Sequence, residues 1–195
     1  MKKLIVLILA VLPFLSFAQS DSGFDSKGKI EIYAGYGLLT APDIITGFSD
    51  IFTSALLPGM IEKVESRGFG AAIGGLDYYI SNHFTAGLQY SYASYEHTYD
   101  MQNQSVAKMN TKYHTLLARG KGIWLNTSLI QLYSVVAVGP SFTKADNDLG
   151  DTKTNTAFAF HASLIGIRVG NQIAFFTEGG FGYQGLISAG VSVRF

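Results

Sequence analysis

The sequence has 195 residues, of which 48% are hydrophobic and 14% are charged, and its 14 basic residues balance its 14 acidic ones. Disordered chains combine few apolar residues with high net charge, and nucleic-acid binders carry a basic excess. The composition argues against both classes. The absence of cysteine excludes a disulfide framework, a zinc–thiolate site and a thiol nucleophile.

The first 18 residues are typical of an export signal. Lys2 and Lys3 precede an uncharged, mostly apolar stretch over residues 4–18, and Ser16 and Ala18 are small residues two positions apart. This apolar core is shorter than the roughly 20 residues of a spanning helix. We predict cleavage after Ala18, a flexible Gly/Ser-rich lead-in over residues 19–28, and one domain over residues 29–195.

The rest of the chain alternates with a period of two, which indicates β-strands. Ile30 and Ile32 alternate with Glu31 over residues 29–38, and Phe181 and Tyr183 share the apolar face of residues 173–183. Further regular runs cover residues 84–95, 111–124 and 186–195, and less regular runs cover residues 68–80, 130–144 and 155–169. Both faces of residues 130–144 are fairly apolar, so the sequence does not decide which of them points inward. The sequence predicts eight strands.

The connections between the predicted strands are mostly short at one end, with long loops over residues 39–67, 96–110 and 145–154 at the other. Alternating strands with this arrangement are typical of outer-membrane barrels. In lipid every backbone group needs a partner, so the sheet must close. We therefore predict an all-β fold, an eight-stranded antiparallel transmembrane β-barrel. The alternative is a soluble β-sandwich or lipocalin-like barrel, whose charges would lie on the outer face. In several strands of this chain the charges instead lie on the face that has the smaller and more polar side chains.

The last strand, ISAGVSVRF, ends on an aromatic residue with alternating apolar positions behind it. In this it resembles the eight-stranded OmpA/OmpX-type outer-membrane barrels of the porin-like superfamily, over residues 28–195. The resemblance implies an outer-membrane location, contact with outer-membrane lipid and lipopolysaccharide, and an assembly signal read by the outer-membrane assembly machinery at Val191, Val193 and Phe195. The signal sequence ending in SFAQ is also similar to those of Bacteroidetes exports.

Six charged residues fall on the predicted inner face. They are three acids and three bases: Glu31, Asp77, Glu178, Arg119, Lys121 and Arg194. Buried charges need partners, and eight strands leave an interior that side chains nearly fill. We expect a structural salt-bridge network, and the alternative is a gated or selective pore.

Residues 42–57 have apolar residues at helical spacing, which predicts a short helix in the first external loop. The apolar positions are Ile44, Ile45, Phe48, Ile51, Phe52 and Leu56. An apolar stripe in an external loop favours an interaction surface, such as a lid, a partner-docking helix or an interfacial helix. Packing onto the barrel rim is the alternative.

His161, Ser163 and Glu178 resemble the His-x-Ser and downstream Glu of lipid A deacylase barrels, in which His activates Ser for acyl transfer. Leu164 stands where that family has Asn, and Glu178 is further from the His than the family pattern expects. The alternating pattern also directs His161 and Ser163 inward, away from a membrane substrate. We predict no catalytic residue, cofactor or metal, and we interpret the acidic run at residues 146–151 as a hairpin loop.

These features favour a non-enzymatic outer-membrane barrel with a structural or surface-interaction role through its external loops. The expected partners are outer-membrane lipid, the assembly machinery and a protein bound at the external loops, but not nucleic acid. Two alternatives remain open. One is a narrow, porin-like channel for water or small solutes, and the other is a lipid A-modifying acyl hydrolase using His161, Ser163 and Glu178.

Overall fold

The computed structural model describes residues 24–44, 61–68, 70–101, 105–147 and 152–195. One helical turn at residues 41–44 follows the first strand. Within the described ranges, no helix is both long enough and apolar enough to cross a membrane. The strands are β1 (Ile30–Leu38), β2 (Ile61–Arg67), β3 (Ala71–Ser81), β4 (Phe84–Met101), β5 (Ser105–Asn126), β6 (Ile130–Asn147), β7 (Thr152–Gly170), β8 (Ile173–Gly182) and β9 (Ile187–Arg194).

The strands form a closed antiparallel barrel. Each strand from β3 to β9 pairs with the next, and β1 closes the ring by pairing with both β3 and β9, with Ala34 opposite Gly74 and Val191. β2 and β3 pair with successive parts of β4, so together they act as one interrupted strand. The barrel therefore has eight strands, and the predicted eight-stranded antiparallel β-barrel is confirmed.

Along the barrel wall, apolar side chains point outward and polar ones point inward. In β1, Ile30 and Ile32 are exposed while Glu31 and Tyr33 are buried. β9 repeats the pattern, with Val191 and Val193 outside and Ser192 inside. The inward face of β6, which its sequence leaves open, consists of the odd positions Gln131, Tyr133, Val135, Ala137 and Ser141.

The prediction that Tyr183 shares the outward face of Phe181 is wrong. β8 ends at Gly182, which has a φ of 133°. The chain turns there, and Tyr183 packs against the interior cluster of Leu117, Ala137 and Ala159. The alternation of a strand cannot be extended past the residue at which its backbone pairing stops.

The three predicted long loops are wrong in extent. Residues 61–67 of the first loop form β2, β4 continues to Met101, and β5 starts at Ser105. In the third loop, β6 runs to Asn147 and β7 begins at Thr152. Backbone pairing does not require apolar side chains, so these strands continue where the apolar alternation stops. β5 has 22 residues, about 70 Å at the usual rise of a strand.

Candidate functional site

The barrel interior, or lumen, contains a network of paired charges. Arg119 reaches Glu178 (Nη2–Oε1 2.5 Å) and Asp77 (Nε–Oδ2 3.4 Å). Lys121 reaches Asp77 at 3.1 Å and Glu31 at 3.0 Å. All five side chains are almost completely buried. The structure thus brings together five of the six charged residues singled out in the sequence, from β1, β3, β5 and β8.

Arg168 completes this network. Its Nε lies 2.9 Å from Glu31 Oε2 and 3.0 Å from the hydroxyl of Ser192, and its side chain is 1% exposed. The sequence analysis missed this residue because the alternation that places His161 inward would place Arg168 outward. A bulge in β7 between Ser163 and Ile165 shifts the alternation by one residue, so Arg168 turns inward. We call Glu31, Asp77, Glu178, Arg119, Lys121 and Arg168 the ion network.

The sixth predicted charge, Arg194, lies beside the ion network. It donates hydrogen bonds to Tyr79 Oη and Ser26 Oγ, each at 3.3 Å, and its guanidinium lies 4.9 Å from the Phe24 ring centroid. Ser26 is fully buried and its amide donates to Asn82 Oδ1 at 2.8 Å. The predicted lead-in is described from residue 24, and this part packs across one end of the barrel, which we call the terminal end because Phe195 also lies there. The opposite end is the loop end.

Tyrosines fill the space around the charges. Tyr79 donates to Glu31 Oε2 at 2.8 Å and Tyr133 donates to Glu178 Oε1 at 2.9 Å. The Arg119 guanidinium lies 4.8 Å from the centroid of the Tyr33 ring, and Lys121 Nζ lies 4.9 Å from that of Tyr133. Gly166 leaves room for Tyr133, since a Cβ at that position would lie 2.4 Å from the ring. These contacts leave the middle of the lumen filled by side chains.

His161 and Ser163 do not form a nucleophile–base pair. Both are buried on the inner face, and Ser163 Oγ donates to the carbonyls of Ile165 and Gly179 at 3.3 and 3.1 Å. Neither ring nitrogen of His161 has a hydrogen-bond partner. Glu178 is engaged by Arg119, Tyr133 and Gln184 instead. A lipid substrate outside the barrel therefore does not meet this set of side chains.

At the loop end, Asp43 stabilises the segment that follows β1. Its carboxylate accepts the backbone N–H groups of Thr40 and Gly70, at 2.5 Å and 3.2 Å. Thr40 Oγ1 lies 2.9 Å from Tyr95 Oη, and burial raises the pKa of the Tyr95 phenol above its usual range. Tyr95 therefore stays protonated.

Most of the predicted interaction helix lies outside the described residues. The helical turn at residues 41–44 includes Ile44, which is half-buried, whereas Ile45, Phe48, Ile51, Phe52 and Leu56 are not described. Val191, Val193 and Phe195, predicted as the assembly signal, point outward and are 45%, 42% and 62% exposed. No group of three or more acidic or histidine side chains suited to a metal ion occurs among the described residues.

No family model matches the sequence, and no curated protein does. Several solved structures are similar in fold. The N-terminal β-barrel domain of OprF from Pseudomonas aeruginosa is 12% identical, with a TM-score of 0.47, over 87% of this chain and 98% of that one. Ail, the attachment invasion locus protein of Yersinia pestis, is 12% identical, with a TM-score of 0.45, over 87% and 99%. The outer membrane protein OprG of P. aeruginosa is 11% identical, with a TM-score of 0.46, over 90% and 99%.

Proposed function

We propose that this chain is a non-enzymatic outer-membrane protein, a closed barrel that holds a β-sheet at the cell surface for interaction with a partner. The observation that carries the proposal is the reversed polarity of the barrel. Thirty large hydrophobic side chains are exposed among the described residues, while the paired charges are inside. Soluble monomers rarely expose apolar patches of more than a few hundred Å². In a membrane this apolar wall faces lipid, and closure pairs the backbone of the wall.

The lumen supports an anchor rather than a channel. Arg119 and Lys121 of β5 and Arg168 of β7 cross it and meet carboxylates there, and each is at most 5% exposed. Eight-stranded barrels have interiors just wide enough to be filled by side chains. The narrow-pore alternative needs a continuous aqueous path past these residues, and the contacts of the ion network occupy that path.

The loop end supplies the surface for a partner. β4 to β7 have 18–22 residues each, whereas a tilted strand crosses the bilayer with about 9–11. The excess lies at the loop end, since the terminal end has short turns such as Asn82–His83. In outer-membrane barrels short turns face the periplasm and long segments face outside. The last strand, with Val191, Val193 and Phe195, is then the segment that the assembly machinery would read.

Labelling of single cysteines in intact cells tests this placement, because the chain has no cysteine of its own. Thr154 at the loop end and Ser128 in a terminal-end turn are both exposed. We expect a membrane-impermeant maleimide to label Thr154→Cys in intact cells and Ser128→Cys only after lysis. Equal labelling of both in intact cells, or recovery of the protein in the soluble fraction, would contradict the proposal.

Planar-bilayer recording tests the closed lumen. We expect the purified wild-type barrel to insert without stepwise conductance, because the ion network fills its cross-section. Insertion is verified independently by protease protection in vesicles reconstituted from the same purified protein. Regular, reproducible conductance steps from wild-type protein would favour the pore alternative.

A further inference from the structure

Two lysines face each other on the outer surface near the loop end. Lys112 of β5 is directly opposite Lys144 of β6. Both occupy even positions, on the face opposite the buried Thr111, Thr115 and Ser141. Directly opposed residues have Cβ atoms about 4.5–5.5 Å apart, and like charges in such a pair repel. Ser94 of β4 and Thr154 of β7 extend the pair on either side. We call these four residues the lysine row.

The two ammonium groups have little compensation from the protein. Among the described residues, Lys112 has no ion-pair partner, and the acid nearest to Lys144 is Asp146, with Nζ–Oδ1 3.7 Å. Both members of that pair are well exposed to solvent, with side chains 51% and 34% exposed. Exposed ion pairs of this kind contribute little. The lysine row therefore carries two positive charges, of which only that of Lys144 has an ion pair among the described residues, and that pair is exposed.

The row next to it, toward the middle of the barrel, is aromatic. It consists of Tyr92, His114 and Phe142, which face each other across β4, β5 and β6. The rings of Tyr92 and His114 are 5.1 Å apart, and Tyr90 Oη lies 2.7 Å from His114 Nδ1. Aromatic girdles mark the boundary between the hydrocarbon and the headgroups. Below them the wall is apolar, with Leu88, Leu116 and Val138 exposed.

The row on the other side of the lysine row, away from the aromatic girdle, is polar and acidic. It carries Glu96, Asn110 and Asp146, so the side of the lysines away from the girdle is acidic. An anion is repelled from that side and meets the lysines most favourably from the side of the aromatic girdle. At that depth the anionic groups available are lipid phosphates.

We infer that Lys112 and Lys144, above the girdle of Tyr92, His114 and Phe142, bind the phosphate of a membrane lipid whose acyl chains lie along the apolar wall. Thr154 places a hydroxyl group beside Lys144, whereas the Ser94 hydroxyl donates to Asn110 Oδ1 at 3.3 Å. This inference rests on the proposed membrane location of the barrel. According to this inference, the outer face formed by β4 to β7 binds anionic lipid in preference to uncharged lipid.

Native mass spectrometry in a neutral maltoside detergent tests the inference. The probe is dioleoyl phosphatidic acid, with dioleoylglycerol and inorganic phosphate as comparators. A basic side chain near a membrane surface contributes about 1 kcal/mol to binding an anionic lipid, which is about fivefold in affinity. We therefore expect Lys112→Gln or Lys144→Gln to weaken phosphatidic acid binding about fivefold, and the double variant further.

Lys153→Gln is the matched control. Lys153 lies one residue from Thr154 in β7, so it points to the opposite face of the same sheet, and it is exposed. Unchanged binding by Lys153→Gln, with the losses above, supports the site. Wild-type affinity in K112Q/K144Q, or equal losses in all three single variants, would overturn it. Competition by inorganic phosphate as strong as by the lipid would also overturn it, in favour of a free-phosphate site.

A measurement of membrane insertion distinguishes failure of the lipid site from failure of the proposed function. Each variant is first reconstituted into vesicles, and folding is checked by the shift in gel mobility between unheated and heated samples. A barrel that inserts without phosphatidic acid preference overturns the lipid site alone. A wild-type barrel that does not insert overturns the proposed function together with it.

Discussion

Arg119→Met should lower the free energy of unfolding of the barrel by about 3–5 kcal/mol, the usual cost of removing one partner of a buried ion pair. Methionine occupies much of the arginine volume but leaves Glu178 and Asp77 without one of their cations. Asp77 keeps Lys121 at 3.1 Å, whereas Glu178 keeps only uncharged donors, Tyr133 and Gln184. Denaturant titration in lipid vesicles, followed by the fluorescence of Trp124, the single tryptophan, measures the loss.

The double variant Arg119→Met with Glu178→Gln distinguishes a charge effect from a packing effect. Removal of both charges leaves no isolated carboxylate, so the double variant should recover about 0.5–3 kcal/mol relative to the sum of the single variants. Lys153→Gln, at an exposed position near the loop end of β7 and away from the ion network, should change stability by no more than about 0.5 kcal/mol. An Arg119→Met barrel as stable as wild type would mean that water solvates Glu178, which contradicts a filled lumen and favours the pore.

The sequence contains most of the information that determines the barrel. Ile30, Ile32 and Glu31 alternate because β1 has an apolar outer face and a polar face toward the lumen, so a single strand reveals both environments. Closure then follows from the need to pair every backbone group within lipid. The inward residues Asp77, Arg119 and Lys121 follow from the same alternation, although nothing in the sequence specifies which acid meets which base.

Two local features could not be predicted from alternation. The bulge at Ser163 and Ile165 shifts the faces of β7, and this shift brings Arg168 into the ion network. A bulge depends on backbone pairing with both neighbouring strands, and no residue type marks it here. Arg194 had the expected inward orientation, but its partners Ser26 and Tyr79 depend on how the residues before β1 cross the end of the barrel.

The extent of the strands was underestimated for a different reason. The alternation of apolar residues marks the apolar band of the wall, so it ends at the edge of that band. β4 and β5 continue to pair beyond that edge, down to Met101 opposite Ser105. The proposed interaction surface and the lysine row lie in this transition, where apolar alternation no longer indicates which residues share a face and only the strand register does.

Leu88→Arg should lower the free energy of unfolding in vesicles by about 2–4 kcal/mol, the cost of a basic residue at the bilayer midplane of a barrel wall. Leu88 is 52% exposed and is opposite Leu76 on β3 and Ala118 on β5. It lies four residues from Phe84 at the terminal end and four from Tyr92 in the girdle, so it is near the middle of the apolar wall. In lipid the arginine has no nearby carboxylate and no water to solvate it.

Thr156→Arg is the matched substitution at the membrane boundary. Thr156 is exposed on the outer face and is opposite Phe142 in the girdle, where an arginine costs about 0–1 kcal/mol. A large loss for Leu88→Arg and a small one for Thr156→Arg would place lipid against the apolar wall and headgroups at the girdle. A soluble barrel gives a different result, since surface substitutions there change stability by about 0.5 kcal/mol or less, and two equally small losses would show that the apolar wall does not face lipid.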